Sequence, residues 1–331
     1  MTRRLRLAAL TLLLAGCHAP MSVFTGAGPA GRALSQLTWV LVAASAVIFV
    51  LVTLFMLAAI ARRNRGGTDP DLTVHDNRIP IVAGAIIPGV VLLALFMTSV
   101  LIERRIPGDA STPAESFTVI GHQWWWGVER DDSASGRRAM WANELHVPVG
   151  EPVDLTLLSD DVIHSFWIPQ VHGKIDLIPG DTNHIRFVAD RPGVYRGQCA
   201  EYCGMQHANM AFTLVVESPV AYRAWLSVQR ADAKPPTDTL AALGRAQVVN
   251  GPCATCHTIR GTTAQGEIGP DLTHVGSRVT LAAGTLPNDL ATMEAWVTNA
   301  PSLKPGVKMP AMPQFTGLQL RAIAAYLEGL R

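Results

Sequence analysis

The chain has 331 residues, 49% of them apolar and only 16% charged, and its 27 basic and 26 acidic side chains leave a formal charge of +1. A mean hydropathy of +0.23 is too high for a wholly soluble chain, and the charge is too sparse for a disordered one. The near-zero balance gives no basic surplus with which to grip nucleic acid, and five cysteines, at positions 17, 199, 203, 253 and 256, are too few and odd in number for a disulfide-built scaffold.

The start, MTRRLRLAALTLLLAGC, has the charged head, short apolar run and small residues of a secretory signal over residues 1–16. Leu14-Ala15-Gly16-Cys17 resembles the lipobox of bacterial lipoproteins, which implies cleavage before Cys17 and lipidation of its thiol. Within residues 17–109, two apolar runs at 37–61 and 79–102 are each about 24 residues, or about 36 Å as helix, enough to cross a ~30 Å hydrocarbon core. Arg62, Arg63, Arg65 and Arg78 lie between them, against Arg32 alone from Cys17 to Gln36. That asymmetry puts the connecting loop in the cytoplasm and everything after Ile102 outside a bacterial plasma membrane. Pro88 falls inside the second run and predicts a kink whose freed carbonyl needs a neighbour, hence a packed partner.

From residue 110 to 220 the chain alternates short β-rich runs with Gly, Pro, Asp and Asn turns. SFTVIG, ELHVPVG, PVDLTLLS, HSFWIP, NHIRFVA, GVYRGQC and MAFTLVVE predict seven strands in a Greek-key sandwich. Residues 221–238 begin with a helical stretch to Arg230 and end in ADAKPPTDT, a linker. Residues 239–331 form a second unit, closed by a helix over Leu318–Leu330 with apolar residues at helical spacing.

The stretch Gln198 to Met210 offers Cys199, Cys203, His207 and Met210 on one loop. Soft thiolate and thioether with imidazole select copper, whereas zinc does not ordinarily take Met. A second thiolate is one more than a mononuclear blue-copper site needs. Two coppers bridged by both sulfurs account for it, with His164 of DVIHSF as a second imidazole; a Cys199–Cys203 disulfide is the competing reading. His122, His146, His172 and His184 read as structural or solvated.

The segments GHQWWW, ELHVPVG, DVIHSFWIP, KIDLIPG and GQCAEYCGMQHANM resemble the dinuclear copper A domain of subunit II of the haem–copper terminal oxidases. The resemblance implies a cupredoxin-like sandwich on a two-helix transmembrane hairpin. It further implies Cys199 and Cys203 as copper bridges, His164 and His207 as one ligand each, and Met210 and the Glu201 carbonyl as axial ligands. The Glu201 side chain would help hold magnesium against subunit I, and Trp124 would be the surface aromatic through which electrons reach the copper.

Cys253-Ala254-Thr255-Cys256-His257 is a c-type haem attachment motif, two thioether links and an axial His. A thioredoxin-like reading needs a βαβ pattern that the sequence lacks. The second axial ligand is expected from Lys304-Pro305-Gly306-Val307-Lys308-Met309-Pro310, as Met309, with Met312 the competitor and Met293 a packing residue. This all-α unit resembles the small cytochromes c, and the whole chain resembles an oxidase subunit II with a fused cytochrome c. The implied route runs from an external cytochrome c or other donor through haem c and the copper pair to subunit I, which reduces oxygen beside subunit III. A nitric oxide reductase subunit or a membrane-tethered electron carrier is the alternative. Residues 110–220 carry 14 acidic and 7 basic side chains and residues 239–331 carry 5 acidic and 7 basic. The resulting −7 and +2 favour docking of the two units.

In such relatives a Glu seven residues before the second-helix Pro opens a proton path, and a Trp stands four before it. Here those places hold Ile81 and Gly84, and Ile81 cannot carry a proton, so either another acid, Asp76 or a group on subunit I, opens the path, or proton delivery differs in this chain's assembly. If the path runs here, Ile81→Glu will alter oxygen turnover at high pH; an unchanged pH profile excludes it.

Overall fold

The computed structural model describes residues 20–64, 78–104, 112–132 and 137–331; Cys17, the signal segment and Asp76 lie outside the described residues. Helix α1 runs Pro29–Asn64 and so begins well before the apolar run at Leu37. Pro29 sits at the first helical position, where a missing N–H costs nothing. The added turns pack on the β-unit through buried Ala27, Ala30 and Ala33. Gly28 and Gly31 are required there, because a Cβ on either would stand 2.1 Å from the Val188 carbonyl oxygen or 2.0 Å from that of Gln170. Ala27 N donates to Gln170 O, Asp190 N donates to Ala27 O, and Arg32 pairs with Asp190 at 2.6 Å.

The second apolar run is not one regular helix. A short α2, Arg78–Ile81, passes into a π turn, Val82–Ile86, and then α3, Ile87–Glu103. Ile87 N donates to Val82 O, and the widened turn accommodates the ring of Pro88, which an uninterrupted α-helix would exclude. The expected kink at Pro88 is thus taken up one turn earlier. Phe49, Phe55, Leu92 and Phe96 are exposed along the two helices, the surface a lipid or partner helix covers.

Among the described residues ten strands build the β-unit, three more than the seven expected. β1 (Glu115–His122), β2 (Trp125–Asp132), β3 (Arg137–Ala142), β5 (Pro152–Ser159) and β8 (Asn183–Val188) form one sheet in the order β3-β2-β1-β5-β8. The facing sheet is β4 (Glu144–Pro148), β10 (Ala211–Glu217) and β9 (Gly193–Gln198), in the order β4-β10-β9. A two-strand ladder joins β6 (His164–Phe166) to β7 (Ile175–Leu177). Pairs β1·β5 and β4·β10 are parallel, so their strands are joined by crossovers, as a sandwich closure requires. β2 and β3 escaped the pattern because their charged residues depress strand propensity; Arg130 offsets this by pairing with Glu115 at 2.5 Å. Between the sheets Trp126, fully buried, meets Phe166 and Phe212 edge-on at 5.6 and 6.2 Å.

Helix α4 (Pro219–Arg230), capped by Ser218, leads out of the sandwich, and its Trp225 stacks on His146. Helices α5 (Thr239–Val249), α6 (Leu290–Leu303) and α7 (Gly317–Gly329) follow, with a short ladder of β11 (Thr280–Leu281) and β12 (Leu286–Pro287). Their core holds Val248, Met293, Val297, Ile323, Tyr326 and Leu327, so Met293 packs as expected. Thr316 and Gln319 form a capping box that starts α7. α5 crosses α7 at Gly244, where a Cβ would lie 1.9 Å from the Ala322 carbonyl oxygen. Gly244→Ala is therefore expected to destabilise this unit by about 1–3 kcal/mol. Gly317→Ala, with open space around it, should be neutral or slightly stabilising; calorimetry of the two variants compares the shifts.

Candidate metal centres

The loop from β9 to β10 carries the soft ligands, and β6 brings His164 to them from elsewhere in the sandwich. The sulfurs of Cys199 and Cys203 are buried and 3.8 Å apart, too far for a disulfide. His164 Nδ1 lies 3.9 Å from Cys199 Sγ, and His207 Nδ1 lies 3.7 Å from Cys203 Sγ. Met210 is fully buried, its Sδ 3.8 Å from Cys203 Sγ. The Glu201 carbonyl oxygen approaches Cys199 Sγ at 3.2 Å, so the main chain of that residue, not its carboxylate, faces the sulfurs. The Glu201 carboxylate stands 3.8 Å from Lys174 Nζ at the half-exposed rim.

Asp161, which the sequence reading passed over, sets the tautomer of His164. Its Oδ1 lies 2.9 Å from His164 Nε2, so Nε2 carries the proton and the Nδ1 lone pair is left facing the thiolates. Backbone N–H groups of Gln123 and Val162 also donate to this carboxylate. Burial opposes its charge, yet these bonds and that from His164 hold its pKa below the usual carboxylate range. For His164 burial likewise opposes charge, and the bonds to Cys199 and Asp161 outweigh it and raise the pKa. Hydrogen bonding from Cys203 draws the Cys199 thiol far down; the Cys199 thiolate and burial then push Cys203 up. One sulfur gives up its proton readily, and the second does so when a cation arrives to share the charge. Two sulfurs, two imidazole Nδ1 atoms, a thioether and a carbonyl in a dry pocket fit copper by ligand softness.

Trp124 donates from Nε1 to Cys203 O at 3.0 Å, and Gln123 Nε2 donates to the same oxygen at 2.8 Å. The resemblance implies a surface position for this indole. In the structure it is half-buried, since Gly204 and Gly306 approach it closely enough that a Cβ on either would stand 3.1 or 3.4 Å from the ring. Both have positive φ, 115° and 87°, which favours glycine. Gly306 belongs to the C-terminal unit, so that unit covers Trp124. The other histidines stay outside the cluster: His122 stacks on Trp125, His146 meets Glu217, His172 turns to the Gly173 carbonyl, and His184 is exposed.

In the C-terminal unit Cys253 and Cys256 are free and half-buried around the short helical turn Pro252–Thr255. His257 Nδ1 donates to Pro270 O at 2.8 Å. Burial lowers its pKa despite that bond, so the ring stays neutral with Nε2 free to ligate. Gly269 lies so close that a Cβ would be 2.6 Å from the imidazole, and the ring is thereby walled in place. Met309 is half-exposed on the loop after α6, whereas Met312 is buried, with Gln314 Nε2 3.4 Å from its sulfur. Met312 is thus tied into the unit, and Met309 is the more accessible of the two thioethers. Two free thiols, an oriented imidazole and an uncommitted thioether fit a covalent haem.

Two family models match the chain, the periplasmic domain of cytochrome c oxidase subunit II over residues 133–218 and cytochrome c over residues 241–331. Cytochrome c oxidase subunit 2 of Alkalihalophilus pseudofirmus is 34% identical over 341 residues, covering 100% of this chain and 97% of that protein. The Bacillus subtilis subunit 2 is 28% identical over 352 residues, covering 99% and 97%. The crystal structure of the periplasmic domain of cytochrome oxidase subunit II from Bradyrhizobium japonicum is 27% identical and covers 36% of this chain and 96% of that one, with a TM-score of 0.34. Asp161→Asn, by weakening the hold on His164 Nε2, is expected to lower copper affinity about 10–100-fold, read by competition with a chelator of known affinity.

Proposed function

Because the chain belongs to the cytochrome c oxidase subunit II family, with a cytochrome c unit at its C-terminal side, we propose that it is the electron-input subunit of a respiratory terminal oxidase. It receives electrons from an external cytochrome c or similar donor and delivers them to subunit I, where oxygen is reduced to water. The observation that carries this reading is the meeting of two thiolates with two imidazole Nδ1 atoms within hydrogen-bond range of the sulfurs. When bound, a dinuclear copper A centre and one haem c supply one-electron redox chemistry at neutral pH.

The chain's own residues hold and tune those groups. Cys199 and Cys203 through sulfur, His164 and His207 through Nδ1, Met210 through its thioether and Glu201 through its carbonyl would hold the copper. Asp161 keeps His164 in one tautomer, while Trp126, Phe166 and Phe212 exclude water beneath the loop. Such a packed, buried cage leaves its ligands little room to move, which would keep the reorganisation accompanying electron transfer small. In the other unit Cys253 and Cys256 would attach the haem, Pro270 orients His257, and His257 and Met309 would ligate its iron. The Glu201 carboxylate, at the half-exposed rim beside Lys174, is free to turn toward subunit I and share a magnesium ion.

The two apolar helices anchor the chain in the plasma membrane, and both redox units face outside. The exposed apolar surface of α1 and α3 supports burial against subunit I, with subunit III in the same assembly. Purified with those neighbours, the chain is expected to contain two coppers and one covalent haem and to support oxygen uptake. Both centres without oxygen uptake would remove the oxidase reading and favour a nitric oxide reductase or a simple carrier; copper without haem would remove the fusion reading. Met309→Leu should abolish the thioether-to-iron absorption band and lower the haem potential, while Met312→Leu should leave both in place.

A further inference from the structure

The cytochrome unit meets the sandwich along one seam, and at its centre stands a lysine that the function above does not use. Lys304, the C-cap of α6, is only 1% exposed, although lysine is among the residues least often buried. Its ammonium donates to three main-chain carbonyls, Asn209 O at 2.8 Å, Ala282 O at 2.9 Å and Trp124 O at 3.0 Å. Three N–H donors meet three acceptors, which is all an ammonium can offer. Two acceptors belong to the sandwich, one beside Met210 and one on Trp124 itself; the third belongs to the cytochrome unit.

That third acceptor is presented by a strained turn. Ala282, Ala283 and Gly284 all have left-handed φ, of 52°, 57° and 76°, a region that alanine rarely adopts. The turn aims three successive carbonyls at the seam: Ala282 O to Lys304, Ala283 O to Ala211 N at 2.9 Å, and Gly284 O to Arg196 Nη1 at 3.4 Å. From the other side, Glu144 accepts from Val279 N at 2.9 Å, and Gln206 Nε2 donates to Pro305 O at 2.8 Å. Lys308 Nζ lies 3.6 Å from the Asp161 carboxylate, the same group that orients His164. The segment between the two lysines lies on Trp124 through Gly306 and leads directly to Met309.

Resting on the function proposed above, we propose that Lys304 is an interdomain latch, a positioning residue that holds the Met309 loop against Trp124 and so fixes the haem-to-copper separation. In the step it serves, one electron leaves ferrous haem iron and one enters the oxidised copper pair, with no bond made or broken. Loss of the ammonium leaves the Trp124 carbonyl without this donor and Asn209 O and Ala282 O with only the Thr285 hydroxyl to share, so the seam opens to water rather than remaining dry.

The full chain with its partner subunits is compared with Lys304→Met and Lys304→Arg by hydrogen exchange at the Ala211 and Val279 amides, whose acceptors lie across the seam. Lys304→Met is expected to speed exchange at both by about tenfold or more while the Leu214 and Ile323 amides, inside the two cores, stay protected. Lys304→Arg keeps the charge and the donors and should restore much of the protection. Unchanged protection at the seam in Lys304→Met overturns the latch. If that variant loses core protection as well, Lys304→Gln decides: selective loss at the seam supports the latch, and uniform loss overturns it. After flash reduction of haem c, the loosened variant should reoxidise its haem more slowly; an unchanged rate overturns the positioning role. Absence of copper or haem would refute the functional reading, yet the exchange comparison would still stand or fall on its own.

Discussion

The Cys199 and Cys203 sulfurs sit 3.8 Å apart in an apolar pocket, and two thiolates that close repel unless a cation lies between them. The surroundings answer that constraint. Each sulfur faces an imidazole Nδ1, Met210 closes the buried side, and a backbone carbonyl fills the remaining direction. Asp161 then fixes which nitrogen of His164 is bare, using a carboxylate whose own charge is held by two main-chain N–H groups. The aromatic cluster beneath, centred on Trp126, keeps water out and makes these electrostatic terms strong.

A rigid cage is of use only if its distances to the neighbouring redox groups are also held, and the chain holds them by close backbone approach. At the membrane side Gly28 and Gly31 bring the start of α1 onto the Val188 and Gln170 carbonyls, so the sandwich is seated on its anchor. At the other side Gly204 and Gly306 flank Trp124. A side chain at Gly28 or Gly31 would push the parts apart, and one at Gly204 or Gly306 would crowd Trp124 in a backbone conformation that favours glycine. The opposed charges of the two units, −7 and +2 by count over residues 110–220 and 239–331, bring them together over longer range. The contacts that lock the seam are mostly hydrogen bonds to carbonyls, with Lys308 to Asp161 the ion pair among those described.

The second helix shows a different accommodation. Pro88 cannot sit inside a regular helix, and the chain answers with a π turn over Val82–Ile86. The same turn holds Gly84 and directly follows Ile81, the places at which the sequence resemblance leads one to expect a Trp and a proton-conducting Glu. Ile81 is exposed on the isolated chain, on the surface that a lipid or partner helix covers.

Much of the chemistry was legible from spacing, because short motifs such as Cys199 to Met210 and Cys253 to His257 keep their ligands on one loop whatever the rest of the chain does. The amphipathic α7 and seven of the ten sandwich strands could be read for the same local reason, apolar residues recurring at the period of the element. β2 and β3 could not, since their charges hide the alternation until Arg130 finds Glu115 across the sheet. By itself, then, the sequence determined the element types, the two apolar spans and the kinds of ligand. Only the tertiary structure decided that His164 presents Nδ1, that Trp124 is covered rather than exposed, and that Lys304 is buried between the two units. The His164 tautomer is set by Asp161, three residues away but itself held by Gln123 N 38 residues distant, and the other two outcomes depend on groups 79 and 180 residues apart along the chain; no local pattern encodes which distant carbonyl or amide will stand opposite a side chain once the sheets and helices close.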